Sequence, residues 1–249
     1  MHISQILITD DDSEPLSPFL QMAVQTVKTL MPHTEHKVYR KEELRQWIED
    51  QYGITMLKTF DKLVPYAFKA DLARYLLLYK LGGWYFDISI RIINGLNVNN
   101  DIDMITFADL PQNSGVSYAC NNAIIYSKAC NKILQCAIES IFSNVQNERY
   151  GQNLLSPTGP VCFGKSVAMF SENLNILTGT FADLTPGYSN RNRGFILMDG
   201  LLLGLHKPGN VGGDINYLGI KGGNNYLHLY QARKIYDQSI NIEGESISL

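Results

Sequence analysis

The chain has 249 residues, 45% of them apolar, and a formal charge of −3. That is enough apolar content for one large core, and the slight acidity with scattered Lys and Arg excludes a basic nucleic-acid-binding surface. The four cysteines (Cys120, Cys130, Cys136, Cys162) form neither a CxxC pair nor a Cys/His cluster, which argues against structural zinc and fits a reducing compartment.

Ile3 to Thr9 reads as a short apolar strand ending in Asp10, Asp11 and Asp12. Ser17 followed by Pro18 is a helix start, and Leu16, Leu20, Ala23, Val24, Val27, Leu30 and Met31 recur at helical spacing until Pro32. His36 to Tyr39 is a second strand, and Lys41 to Tyr52 a mostly polar helix stopped by Gly53. Phe68 to Leu81 holds good helix formers without proline, and Gly82-Gly83 supplies the stop. Trp84, Phe86, Ile88, Ile90 and Ile92 then alternate with Tyr85, Asp87, Ser89 and Arg91, the periodicity of a strand over this whole stretch. Strands alternating with helices imply a largely parallel sheet, whose sites lie beyond the carboxyl ends of the strands. Asp87, Ser89 and the loop after Ile8 are expected to converge there.

Beyond Ile92 the pattern loosens. Asp101 to Phe107 and Ser117 to Tyr126 read as strands, and Ala129 to Phe142 as an amphipathic helix. Asn144 to Asn192 is rich in Gly, Asn, Ser and Pro, so it is expected to be loop-heavy and to form the acceptor side. Phe195 to Met198 and Leu201 to Leu205 flank Asp199-Gly200, the signature of a type I′ hairpin. From Gln238 the chain reads as a polar tail, leaving 1–237 as a single domain. The opening lacks a basic region followed by an apolar run, and no stretch is long and apolar enough for a membrane span. A cytoplasmic protein is therefore expected.

The helix at Phe68 is apolar on nearly all sides yet carries Asp71 and Arg74, three apart on one face. A buried helix must pair such charges or use them. Together with Asp87, they place two acids and an arginine beside one strand.

These residues carry a resemblance. Asp71, Arg74, Gly82, Gly83, Tyr85 and Asp87 resemble the sugar-binding region of the DXD-containing glycosyltransferases of family 32, relatives of the large clostridial glucosylating toxins. Weaker echoes are Phe60 to Tyr66, Ser156 to Pro160 and Gly222 to Tyr236. One departure is plain: Ser89 stands where the motif has its second acid, so it can position a metal-bound water but brings no charge.

The resemblance implies a GT-A-type α/β fold with a mostly parallel central sheet and a loop-rich, partly antiparallel C-terminal part. It implies a retaining transferase moving a hexose or N-acetylhexosamine from a nucleotide diphosphate sugar, UDP-linked, to a glycan. The acceptor would be a bacterial surface polysaccharide or lipid-linked oligosaccharide precursor, reached at the inner face of the membrane with at most peripheral contact. A divalent metal, manganese or magnesium, would neutralise the departing diphosphate. Asp71, Arg74 and Asp87 are the candidate catalytic residues. Thr9, Tyr85 and Ser89 join them in donor binding, and Asp87, Ser89, Asn225 and His228 are the candidate metal ligands. For His228, a plain surface histidine is the competing reading.

Two other functions fit parts of the sequence. An apolar strand ending in Asp10 and Asp12 is how haloacid-dehalogenase-type phosphatases place nucleophile and acid, although Glu14 stands where that motif has Thr or Val. A helix-capping role for the acidic cluster is the plainer alternative. A degenerate transferase that only binds a nucleotide sugar or glycan is the other.

Overall fold

The computed structural model describes residues 1–185, 192–208 and 215–249. β1 (His2–Ile6) leads into α1 (Pro18–Leu30), where the Ser17 hydroxyl accepts from the Leu20 amide at 3.4 Å and Leu20, Ala23, Val24 and Val27 are buried. β2 (Glu35–Tyr39) pairs in parallel with β1. α2 (Lys41–Lys62) breaks where expected, at Gly53 (φ 78°, ψ 178°), but a second helical stretch follows the break. α3 (Tyr66–Leu81) ends at Gly82, and β3 (Gly83–Phe86) lies parallel to β1 on its other side. Gly83 is required there. It has φ +89°, and a Cβ would come within 2.2 Å of the His2 carbonyl oxygen.

The alternation from Trp84 to Ile92 does not form one strand. β3 stops at Phe86, the Ile90 amide donates to the Asp87 carbonyl at 2.9 Å to close a turn, and β4 (Arg91–Ile92) restarts at the far edge of the sheet. The apolar spacing persists because its members serve different cores. Ile88 packs with Leu7 and Leu20, whereas Ile90 and Ile92 pack with Trp84 and Phe86. Asp87 and Ser89 therefore sit in a turn rather than on one face of a strand.

β5 (Met104–Ala108), the short α4 (Pro111–Ser114), β6 (Cys120–Ser127) and α5 (Lys132–Gln146) follow. The expected loop-heavy segment instead contains α6 (Pro160–Phe170) and β7 (Ile176–Asp183). Gly164, which reads as a loop residue, lets α6 cross the start of β6, since a Cβ there would lie 2.0 Å from the Tyr118 carbonyl oxygen. β8 (Arg193–Leu197) and β9 (Leu202–Leu205) form the expected hairpin with a different turn. Gly200 alone in the turn has positive φ, and its amide donates to the Leu197 carbonyl at 2.8 Å. That is a type I turn followed by a left-handed glycine, not type I′, which needs two positive φ values. α7 (Tyr226–Gln231) completes the elements.

The strands form one mixed sheet in the order β2-β1-β3-β6-β5-β7-β8-β9-β4. β1–β2, β1–β3 and β5–β7 are parallel, and the remaining pairs are antiparallel. β3 is buried on both faces: Tyr85 joins the core beneath α2, α3 and α5, and Trp84 and Phe86 the core on the opposite side. The expected polar tail is tied down. Ile242 is 1% exposed in the larger core, Lys62 Nζ donates to the Ile240 carbonyl at 2.8 Å, and Lys58 Nζ lies 2.7 Å from Glu245. Among the described residues, no helix is long and apolar enough to cross a membrane.

Candidate functional site

α3 carries Asp71 and Arg74 one turn apart on the face that meets the start of β6. Asp71 is 7% exposed and Arg74 4%, so neither has water to rely on and each must find partners inside the protein. Arg74 Nη2 lies 3.1 Å from Asp71 Oδ1, and Nη1 lies 3.1 Å from Asp87 Oδ1. Nη1 also donates to the Asn122 carbonyl at 2.6 Å and Nε to the Ala70 carbonyl at 3.2 Å, while the guanidinium lies 4.6 Å from the centre of the Tyr85 ring. Asp71 Oδ1 accepts from Asn122 Nδ2 at 2.8 Å, and Oδ2 from the Thr158 hydroxyl at 2.7 Å. The Tyr85 hydroxyl donates to Asp87 Oδ1 at 2.8 Å.

Burial pushes the Asp71 carboxyl above the usual range, against the pull of Arg74, Thr158 and Asn122. Burial also opposes the Arg74 charge, but its neighbours Tyr85, Asp87 and Asp71 outweigh that and raise its pKa. Three side chains from α3 and the end of β3 are thus locked into one arrangement.

Asp71, Arg74, Tyr85, Asp87 and Ser89 all line a cavity of about 490 Å³, within the usual size of a small-molecule site. Ile8 lines it too, but no residue from Thr9 to Ser17 does, so the loop expected to converge there lies outside the lining. Thr9 is fully buried and its hydroxyl donates to the Asp11 carbonyl at 2.8 Å. Asn225 and His228 are also absent from the lining. The Asn225 side-chain oxygen caps α7, accepting from the Leu227 and His228 amides, and His228 is exposed. Its neighbour Asn224 faces the cavity instead, accepting from the Tyr66 amide at 2.9 Å and donating to the Val64 carbonyl at 3.0 Å. This clips the C-terminal segment to the start of α3.

Asn122 and Thr158 were not singled out from the sequence. Asn122 had a signal, an Asn pair opening an apolar strand. Thr158 lies inside the SPTGP echo. His206, which also lines the cavity, had none.

Among the described residues, no three His, Cys, Asp or Glu side chains gather to hold a metal. Asp87 Oδ1 is taken by Arg74 and Tyr85, and Oδ2 has no partner among the described residues. One carboxylate oxygen, with Ser89 also in the cavity lining, does not make a closed protein cage. It fits a cation whose other ligands are substrate phosphates and water. The acidic cluster after β1 is spent otherwise: Asp12 caps α2, accepting from the Lys41 and Glu42 amides at 3.1 and 2.7 Å, and Asp10 accepts from the Tyr66 hydroxyl. The phosphatase reading loses its general acid to helix capping.

The mixed sheet, with a carboxylate just past a central strand and an acid and an arginine on the buried helix beside it, is an α/β fold similar to the GT-A type of solved glycosyltransferases. Residues 17–111, which include Asp71, Arg74, Asp87 and Ser89, match the family described as the glycosyltransferase sugar-binding region containing the DXD motif. That match covers the residues that carry the resemblance, as a DXD-containing sugar-binding region. Among solved structures, the PaToxG glycosyltransferase is similar at a TM-score of 0.50 and 17% identity, covering 68% of each chain, which supports the fold. A glycosyltransferase involved in the glycosylation of the major capsid of PBCV-1 aligns at a TM-score of 0.34 and 10% identity, over 72% of this chain and 81% of that one. A comparison with curated proteins finds no match.

Proposed function

We propose that this protein transfers a hexose or N-acetylhexosamine from a UDP-linked donor to a glycan, with retention of anomeric configuration. The observation that carries the reading is the convergence of Asp71, Arg74 and Asp87 on one cavity, held by partners from β6 and the loop before α6. Breaking the anomeric bond develops positive charge on the sugar and negative charge on the departing diphosphate. Asp71 and Arg74 orient sugar hydroxyls through charge-assisted hydrogen bonds, from positions they already occupy without substrate. Asp87 offers Oδ2 to the ribose and to the metal shell, with Ser89 beside it. The divalent cation, when bound, supplies charge neutralisation at the diphosphate. The acceptor proposed is a bacterial surface polysaccharide or lipid-linked oligosaccharide precursor, met in the cytoplasm.

The test is a panel of nucleotide diphosphate sugars assayed for free nucleotide, with and without manganese. Turnover of one donor, dependent on manganese and reduced roughly a hundredfold or more in Asp87→Asn, is expected. Undiminished turnover in that variant would remove Asp87 from the site. Ser89 keeps the binding-only reading alive, since it brings no charge where the motif has an acid; donor binding without turnover would favour that reading.

A further inference from the structure

Behind the cavity, four buried residues close a ring of hydrogen bonds whose far member the sugar-binding reading does not use. Asp71 and Asn122 line the cavity; Tyr75 and Thr158 do not. Asp71 Oδ1 accepts from Asn122 Nδ2 at 2.8 Å, and the same nitrogen donates to the Tyr75 hydroxyl oxygen at 2.8 Å. The Tyr75 hydroxyl donates to the Thr158 carbonyl, a long bond at 3.4 Å, and the Thr158 hydroxyl returns to Asp71 Oδ2 at 2.7 Å. α3 supplies two members of the ring, β6 one, and the loop before α6 one.

Tyr75 is 0% exposed, and its ring stacks on Phe163 at 5.3 Å between centres with the planes 19° apart. A phenylalanine would fill that place without a hydroxyl to desolvate. Packing therefore accounts for the ring and not for the oxygen. Burial, then Asp71, push the hydroxyl well above its usual range, so it stays a neutral phenol with one proton to give and an oxygen to receive.

The Asn122 amide has two N–H bonds, and its nitrogen has two acceptors, Asp71 and Tyr75. Two fixed acceptors hold the amide plane in one orientation, whereas one would leave it free to turn about its last torsion. The Asn122 carbonyl meanwhile accepts from Arg74 Nη1 at 2.6 Å, so one residue touches both charges of α3 that face the sugar. Withdrawing the Tyr75 oxygen leaves a buried N–H without an acceptor, and an amide that turns to find one lets go of Asp71.

We infer that the Tyr75 hydroxyl is a positioning group for sugar transfer: it holds the Asn122 amide, and through it the Asp71 carboxylate, in the orientation that meets the sugar hydroxyls, without touching the donor itself. This rests on the glycosyltransferase reading, and the experiment keeps the two apart. Nucleotide release from the donor found in the nucleotide panel is measured at varied donor concentration, at a temperature where each variant is folded by circular dichroism. Tyr75→Phe is expected to lower kcat roughly tenfold while the donor KM changes less than about twofold, because the lost bond orients the sugar and adds little to holding the donor. Phe163→Leu removes the stacking partner but keeps the hydroxyl, and is expected to lower the melting temperature with kcat within about twofold of wild type. Asn122→Ala is expected to lower kcat at least as far as Tyr75→Phe, and adding Tyr75→Phe to it to change nothing further, since the hydroxyl acts through the amide.

Wild-type kcat in Tyr75→Phe overturns the inference, whatever happens to its stability. A raised donor KM with kcat kept overturns it too, by making the hydroxyl part of donor binding. So does an equal loss of kcat in Phe163→Leu, which assigns the effect to packing, and so do multiplying losses in the double variant, which route it around Asn122. A Tyr75→Phe protein that does not fold overturns it by making the hydroxyl structural. If Asn122→Ala does not fold, Tyr75→Phe against Phe163→Leu decides alone. Absence of any donor turnover in the wild type removes the transferase reading first, and the inference with it.

Discussion

Arg74 shows at residue scale why this site holds its shape. Its guanidinium has traded all but a trace of its water for two carboxylates, two carbonyls and a tyrosine ring. Removing one anionic partner leaves a buried charge short of compensation. Asp71→Ala, which also strands Thr158 and Asn122, is therefore expected to cost about 3 kcal/mol, read by urea denaturation. His206 gives a pH signature. Burial, then Lys207, pushes its pKa down to about 4 from 6.5. As pH falls below 6.5 the unfolded chain binds that proton before the folded one does, so the contribution is intact above 6.5 and lost towards pH 4. The wild type is expected to lose stability over that window more steeply than His206→Asn, in denaturation curves taken at successive pH values.

Asp71 and Arg74 were legible from helical spacing and Asp87 from its place after a double glycine and an aromatic, although the strand read through Asp87 ends one residue before it. Their partners were not legible. Asn122 and Thr158 reach Asp71 from 51 and 87 positions along the chain. Spacing rules do not extend that far.

The element scale turns on close backbone approach. β3 can lie against β1 only because Gly83 has no side chain to meet His2. Gly83→Ala is expected to cost about 3 kcal/mol or more, from positive φ and overpacking together, and to lower the melting temperature sharply. Ser17→Ala removes only a cap on α1 and is expected to cost about 1 kcal/mol in the same assay. The helix at 160–170 escaped the sequence for the same reason that Gly83 matters. Gly164 looks like a loop residue in isolation, and the crossing that requires it involves Tyr118, far away in the chain. The hairpin between β8 and β9 was legible in position, from its Asp-Gly signal, while its turn type depended on which residues adopted positive φ.

Across the whole molecule, the last residues close the core. Ile242 sits among α2, α3 and α5 side chains, and Gln146 Nε2 donates to its carbonyl at 3.1 Å. Ile242→Ala is expected to destabilise by about 3 kcal/mol, and a chain ending at 237 to melt earlier still, as followed by circular dichroism. A mostly polar composition hid this, because one buried isoleucine in a dozen residues leaves no periodicity.

The sequence by itself determined the early strand–helix alternation, the buried charged helix and its glycine stop, since each depends on neighbours within a few residues. Only the tertiary structure decided that Asp87 lies in a turn, that Asn225 caps a helix while Asn224 faces the cavity, and that Tyr75 meets Asn122 behind Asp71. Those outcomes depend on which strands become neighbours and how closely backbones approach. Both are settled by contacts between distant segments rather than by any local pattern.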